Sequence, residues 1–209
     1  MSRRLEVPTL VGKLVRVEPL AMDHADDLAA IAEDDRSTFG FTWVPRGSAE
    51  IEQYIGTQLD RAEDGELIPF AQIRLADGRA VGSTSFLNLR FKPEHPDPFA
   101  VEIGWTWLGA SAQRTGINTE TKLLLLQHAF DTWSVARVDL KTDARNARSR
   151  RAIEALGAQF EGVLRNWQPS LVIGEEGRYR DSAIFSILDS EWPATEERLR
   201  KRLSPYALA

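Results

Sequence analysis

Apolar and polar positions alternate through residues 10–18, "LVGKLVRVE", and predict a first strand. "MDHADDLAAIAEDD" (22–35) switches to helical spacing, with Asp23 as N-cap. An aromatic loop, "RSTFGFTWVPRG", follows and is interrupted by Pro45. A second helix opens at Ser48 as cap and ends at Gly65. Strand-like runs then cover 67–91, and Asp77-Gly78 between them is a strong hairpin signal. Past the proline-rich "KPEHPDP", the run "AVEIGWTWLG" (100–109) is rich in β-branched and aromatic residues and predicts another strand.

A helix over roughly 119–133 comes next. Leu123, Leu126, Phe130 and Trp133 share one face of it, widened by Leu125 and Ala129. "ARVDLKT" is a strand, and "NARSRRAIEALG" is a short helix closed by Gly157. "AQFEGVLRNW" and "RDSAIFSILD" are the last strands, separated by "IGEEGRY". A charged tail helix spans about 190–203. Hairpins make the first half of the sheet antiparallel, whereas the strand–helix–strand unit over about 100–142 makes two central strands parallel through a right-handed crossover. The expected architecture is α+β: a mixed, mostly antiparallel sheet with one parallel pair and helices on both faces. With no linker or repeat, residues 1–209 read as a single domain with its core at about 10–192.

Composition narrows the chemistry. Hydrophobic residues make up 43% of the 209, enough for one sizeable core without a metal or disulfide staple. There is no cysteine, so thiolate nucleophiles and cysteine zinc sites are excluded, and His24, His95 and His128 lack ligand spacing. No metal is expected. A net charge of −5 argues against direct nucleic-acid binding, and no apolar run is long enough for a membrane span or signal peptide. A cytoplasmic protein is expected.

Between the strand at 100–109 and its helix lies "SAQRTGIN". A helix start leaves four N–H groups unpartnered and carries about half a positive charge. Gly116 has no Cβ, Arg114 adds a formal charge, and Thr115 and Asn118 add hydrogen-bonding side chains, so the loop suits a phosphate. An ordinary helix start capped by Asn118 or Thr119 accounts for the same residues. On the phosphate reading, Gly116→Val should block binding without unfolding the chain. Six basic residues (Arg137, Lys141, Arg145, Arg148, Arg150, Arg151) against Asp139 and Asp143 could meet a second phosphate or form a solvated face.

"EIGWTWLGASAQRTGINTETKLLLLQHAF", "RVDLKTDARNARSRRAIEALGAQFEGVLRN" and "RDSAIFSILDSEW" together resemble the GCN5-related N-acetyltransferases (GNAT), nearest the RimJ/RimL-like ribosomal-protein branch. The resemblance implies an acyl-CoA-binding fold whose parallel strands splay apart. It implies that Gln113, Arg114, Thr115, Gly116, Ile117 and Asn118 hold the CoA pyrophosphate, although Asn118 stands where the family has Gly or Ala. It implies that the pantetheine arm lies between the strand ending at Trp107 and Leu108 and the strand at 137–142, with Asn146 on the arm and Ser149 near the sulfur. The co-substrate is then acetyl-CoA or another acyl-CoA, and the acceptor a primary amine, either a protein N-terminus or a small molecule. Exposed faces on the late strands would support a homodimer.

Acyl transfer needs a base for the ammonium, a donor for the oxyanion and a proton for the departing thiolate. Glu102, flanked by Val101 and Ile103, is one candidate base and should have either a raised pKa or a polar partner. Glu161 is the other, by resemblance. Ser149 is the candidate acid, and the Leu108 N–H the oxyanion donor, again by resemblance. Phe39, Phe41 and Trp43 are expected to line the acceptor side, with Trp167 facing them. A non-catalytic acyl-CoA sensor and a nucleotide-binding protein are the rival readings.

Overall fold

The computed structural model describes residues 5–93 and 95–206. Eight strands form one sheet in the order β1-β2-β3-β4-β5-β6-β8-β7. They are β1 (Leu10–Val11), β2 (Val15–Pro19), β3 (Leu67–Arg74), β4 (Arg79–Phe91), β5 (Pro98–Leu108), β6 (Arg137–Asp143), β7 (Gln159–Pro169) and β8 (Tyr179–Leu188). The helices are α1 (Ala25–Ala32), α2 (Gly47–Glu63), α3 (Ile117–Gln127), α4 (Ala147–Leu156) and α5 (Trp192–Leu203). Every strand pair is antiparallel except β5 with β6. This is the expected mixed sheet.

Strand alternation separates two cores. On β3, Phe70 faces one core with Leu125, Leu126 and Phe130 of the α3 segment and Leu199 of α5. Its neighbours Ala71 and Ile73 face the other, with Leu28 of α1 and Ile51 and Ile55 of α2. The helices therefore cover both faces. The α3 helix continues through a π turn at His128–Thr132, which carries its apolar stripe on to the buried Trp133.

Three local expectations are corrected. The strand at 10–18 is a hairpin, because the Glu120 carboxylate accepts the N–H groups of Lys13, Leu14 and Val15 at 2.9, 2.6 and 2.9 Å and holds a turn there. A Cβ on Gly12 would lie 2.4 Å from that carboxyl group, so the contact needs glycine. Asp23 is not a cap: Met22–His24 form a 3-10 turn, and the His24 ring accepts the Ala21 N–H at 3.0 Å. Ser48 does not cap α2, which starts at Gly47 with Glu50 and Glu33 accepting the Arg46 and Gly47 N–H groups. Gly157 closes α4 as expected, at φ 109°, and Asn146 caps its start by accepting the Ser149 N–H at 3.0 Å, which was not foreseen.

Candidate active site

The parallel pair is short. Ala100, Val101 and Glu102 of β5 pair with Arg137, Val138 and Asp139 of β6, and pairing stops there although both strands continue. Beyond Glu102, β5 stays on β4 through a register irregularity, with Trp105 at φ 51°. A positive φ at a bulky residue is costly and redirects the strand. The outcome is a fork between β5 and β6, opening into a cleft of about 400 Å³.

The cleft is lined by the far half of β5, by Leu140 to Thr142 of β6, by Asn118 and Lys122 of α3 and by Asn146 and Ser149 at the start of α4. Phe39, Phe41 and Trp43 close one side. Phe39 meets the Trp107 ring edge-on at 6.3 Å. At the mouth, Arg114 (φ 63°) and Gly116 (φ 85°) turn the chain into α3. The first N–H there with a protein acceptor is that of Glu120, on the Gly116 carbonyl. Among the described residues, no hydrogen bond takes the N–H groups of Arg114 to Thr119. Unbonded donors at a helix start fit a diphosphate.

Glu102 is buried, accepting from Asn88 Nδ2 at 2.7 Å and from Lys141 Nζ at 3.3 Å. Gln113 ties the mouth together: its Nε2 donates to the Leu108 carbonyl (2.9 Å) and to Thr38 (3.1 Å), and its Oε1 accepts from Arg148 (3.2 Å). Of the expected site residues, Glu102, Trp107, Leu108, Gln113, Arg114, Asn118, Asn146 and Ser149 line the cleft; Thr115, Gly116, Ile117 and Glu161 do not. Thr115 donates its hydroxyl to the Ala112 carbonyl, and Ile117 packs into the core. Glu161 bonds Arg137 at 2.8 and 3.1 Å and Ser186 at 2.6 Å, and the Arg137 guanidinium holds its carboxyl below the usual range.

Gly116 also meets a packing demand beneath the loop. A Cβ there would point at Leu14 Cδ1 (2.9 Å) and the Tyr206 ring (3.0 Å). The glycine serves the left-handed turn and the packing beneath it, so Gly116→Val would disturb the fold as well as the loop. Most of the basic cluster is also committed. Arg137 bonds Asp139 and Glu161, Arg145 bonds Asp143 and Glu175, and Arg150 donates to the Ala144 carbonyl.

A family model for the acetyltransferase (GNAT) domain matches residues 15–159. The chain belongs to the GNAT acetyltransferase family. Among solved structures, this GNAT chain is similar to a GCN5-related N-acetyltransferase from Brucella melitensis: TM-score 0.81, 31% identity, covering 97% of this chain and 88% of that one. Mycobacterium smegmatis RimJ, solved in complex with CoA-disulfide, shares the fold at TM-score 0.73 and 22% identity, over 93% and 91% of the two chains. A curated relative, Probable N-acetyltransferase YjcK of Bacillus subtilis (strain 168), is 24% identical over 191 residues, covering 87% of this chain and 98% of its own. The family makes the chain an acyl-CoA-dependent acetyltransferase.

The acetyltransferase cleft holds two cations that sequence reasoning passed over. Lys122 is fully buried, donating to Thr106 (2.6 Å) and Thr84 (3.3 Å), and burial alone pushes its pKa down to about 7. Its signal was legible: Lys122 falls three and four positions before Leu125 and Leu126, on the apolar stripe of α3. Arg180 of β8 is 9% exposed and lines the same cleft. No pattern marks it, since alternation in β8 does not say which face meets a cavity. Among the described residues, no cluster of His, Cys, Asp and Glu is placed to hold a metal, and no helix is long and apolar enough to cross a membrane.

Proposed function

We propose that this acetyltransferase moves an acetyl group from acetyl-CoA to a primary amine by direct attack in a ternary complex. The observation that carries this is the fork itself: β5 and β6 part after Glu102, with unbonded N–H groups at its mouth. Those N–H groups, with Arg114, suit the pyrophosphate. The exposed backbone edges between the diverging strands suit the pantetheine arm, and Asn146 keeps its amide nitrogen available because only its oxygen caps α4. The neighbouring fold solved with CoA-disulfide supports the same ligand class.

In this reading Glu102 takes the proton from the acceptor ammonium, the amine attacks the thioester carbonyl, and the C–N bond forms as C–S breaks. The Leu108 N–H meets the oxyanion, and the surplus proton of the attacking nitrogen passes through the Ser149 hydroxyl to the departing thiolate. Tethering both reactants in one cleft supplies much of the acceleration. The aromatic wall of Phe39, Phe41 and Trp43 suits a small amine or a single N-terminal residue. The edge strand β7 leaves Phe160, Val163, Leu164 and Trp167 exposed, Trp167 at 53%, which supports a homodimer.

Calorimetry with acetyl-CoA, followed by thiol-release assays on small amines and peptide N-termini, tests the reading. Binding that survives Arg114→Ala and competes equally with ATP would sink the pyrophosphate assignment. Sedimentation velocity on the same preparation is expected to give twice the 23.5 kDa chain mass, and a monomer would refute the dimer.

A further inference from the structure

Arg180 has no bonded counter-ion among the described residues. Its side chain makes no hydrogen bond or ion pair among the described residues, and its Nε is sealed from solvent. The sheet register puts it on the face that carries Lys141 and Asp143, since Lys141 pairs with Ile184 and Asp143 with Ser182 of β8. Lys141 bonds Glu102 on that face. The charged groups that act on Arg180 are Asp143, Glu102 and Arg145, and each is already committed. Asp143 accepts the Arg145 guanidinium and backbone N–H, and Arg145 also bonds Glu175. Glu102 accepts Asn88 and Lys141. Desolvation weighs against the guanidinium, partly offset by the fields of Asp143 and Glu102. A cation this buried is costly unless something pairs with it, and here the open side of Arg180 is the cleft.

We propose that Arg180 binds a carboxylate on the molecule that occupies the cleft beside Glu102, which makes the preferred acceptor a small amine carrying a carboxylate. This deepens the acyl-transfer reading above and rests on it. The guanidinium fork matches a carboxylate in two parallel hydrogen bonds. With Asp143 and Glu102 already near, one further negative charge is better accommodated than the nearly two of a phosphate. The same contact could be filled from the donor side, by an acyl group ending in a carboxylate.

The experiment compares amine pairs that differ only in the carboxylate: the amino acids from glycine to 6-aminohexanoate, each against the alkylamine lacking that group, with acetyl-CoA as donor. The wild type should favour the carboxylated member of at least one pair by about 10- to 100-fold in kcat/KM, the size of a buried charge-assisted contact. Arg180→Met should collapse that ratio to near one, and Arg180→Lys should restore part of it. A parallel arm compares succinyl-CoA with acetyl-CoA. A preference for succinyl-CoA that Arg180→Met erases, with no preference among the amines, puts the carboxylate on the acyl group and overturns the assignment to the acceptor. Equal losses for both members of every pair make Arg180 structural and overturn the proposal, as does a wild type that never prefers the carboxylated amine while still binding acetyl-CoA. A wild type that binds no acetyl-CoA would instead strike the proposed function. Thermal melts confirm that both variants fold.

Discussion

Glu102 and Glu161 are both strand carboxylates, yet their surroundings differ in the way that matters for a base. Glu161 is bonded to Arg137, whose register partner is Ala100, on the closed side of the fork. The guanidinium also lowers its pKa, which weakens it as a proton acceptor. Glu102 sits where the strands part and shares the cleft with Ser149 and Asn146. Glu102→Gln is therefore expected to lower kcat by about 10²- to 10⁴-fold, the contribution of a positioned base, with acetyl-CoA affinity little changed. Glu161→Gln should leave turnover near wild type and cost about 1 kcal/mol or less, as exposed ion pairs do. Steady-state kinetics on both variants separates the two, and the reverse pattern would make Glu161 the base.

At the scale of elements, β5 must hold β4 while releasing β6. A buried polar network does the holding. Gln72 Nε2 donates to the Ser83 carbonyl (3.2 Å) and the Trp107 carbonyl (3.4 Å), and Gln72 Oε1 accepts the Thr121 hydroxyl (2.9 Å). Gly82 lets the strands close: a Cβ there would stand 2.2 Å from the Trp107 carbonyl oxygen, which is backbone and cannot swing aside. Gly82→Ala should cost about 2–4 kcal/mol by overpacking, and lower acetyl-CoA affinity as the end of β5 shifts. Calorimetry and a melt check both, and an unchanged Tm would mean the strands part without cost. The reach of each interaction along the chain decides what could be read in advance. The Asp77-Gly78 turn and runs rich in β-branched and aromatic residues found β3 to β8, and helical spacing found α3, because these signals are local in the chain. The end of α4 was legible because Gly157 acts within its own helix. The hairpin at Gly12 and the start of α2 were not, because the groups that fix them, Glu120 and Glu33, lie far away in sequence. The cleft followed the same rule: its glycine loop could be read, whereas the place of Glu161 outside it depends on the register of β6, β8 and β7.

At the scale of the whole molecule, Lys122 links stability to pH. It is buried at the cleft wall with two threonine hydroxyls as its hydrogen-bond partners among the described residues, and its pKa falls from 10.5 to about 7. In the unfolded chain the amine keeps its proton up to the higher value; in the folded chain it releases it near the lower one. Between those two pH values the unfolded state binds more protons, so this residue makes stability rise with pH across the interval. Below pH 7 both states are protonated and the full cost of burying the charge remains. That cost is about 1.4 kcal/mol for every tenfold loss of proton affinity on folding, before relaxation and water entry reduce it. Lys122→Met removes the charge and keeps the apolar stem, and it leaves Thr84 and Thr106 bonded to each other at 2.7 Å. The variant should thus be more stable than the wild type by about 1–3 kcal/mol at pH 6, with the gain shrinking steadily toward pH 10. Urea unfolding of both proteins at pH 6, 8 and 10 reads the difference while other titrating groups cancel. A gain that stays constant across the three would mean that Lys122 keeps its proton in the folded state and that water or an anion reaches it from the cleft.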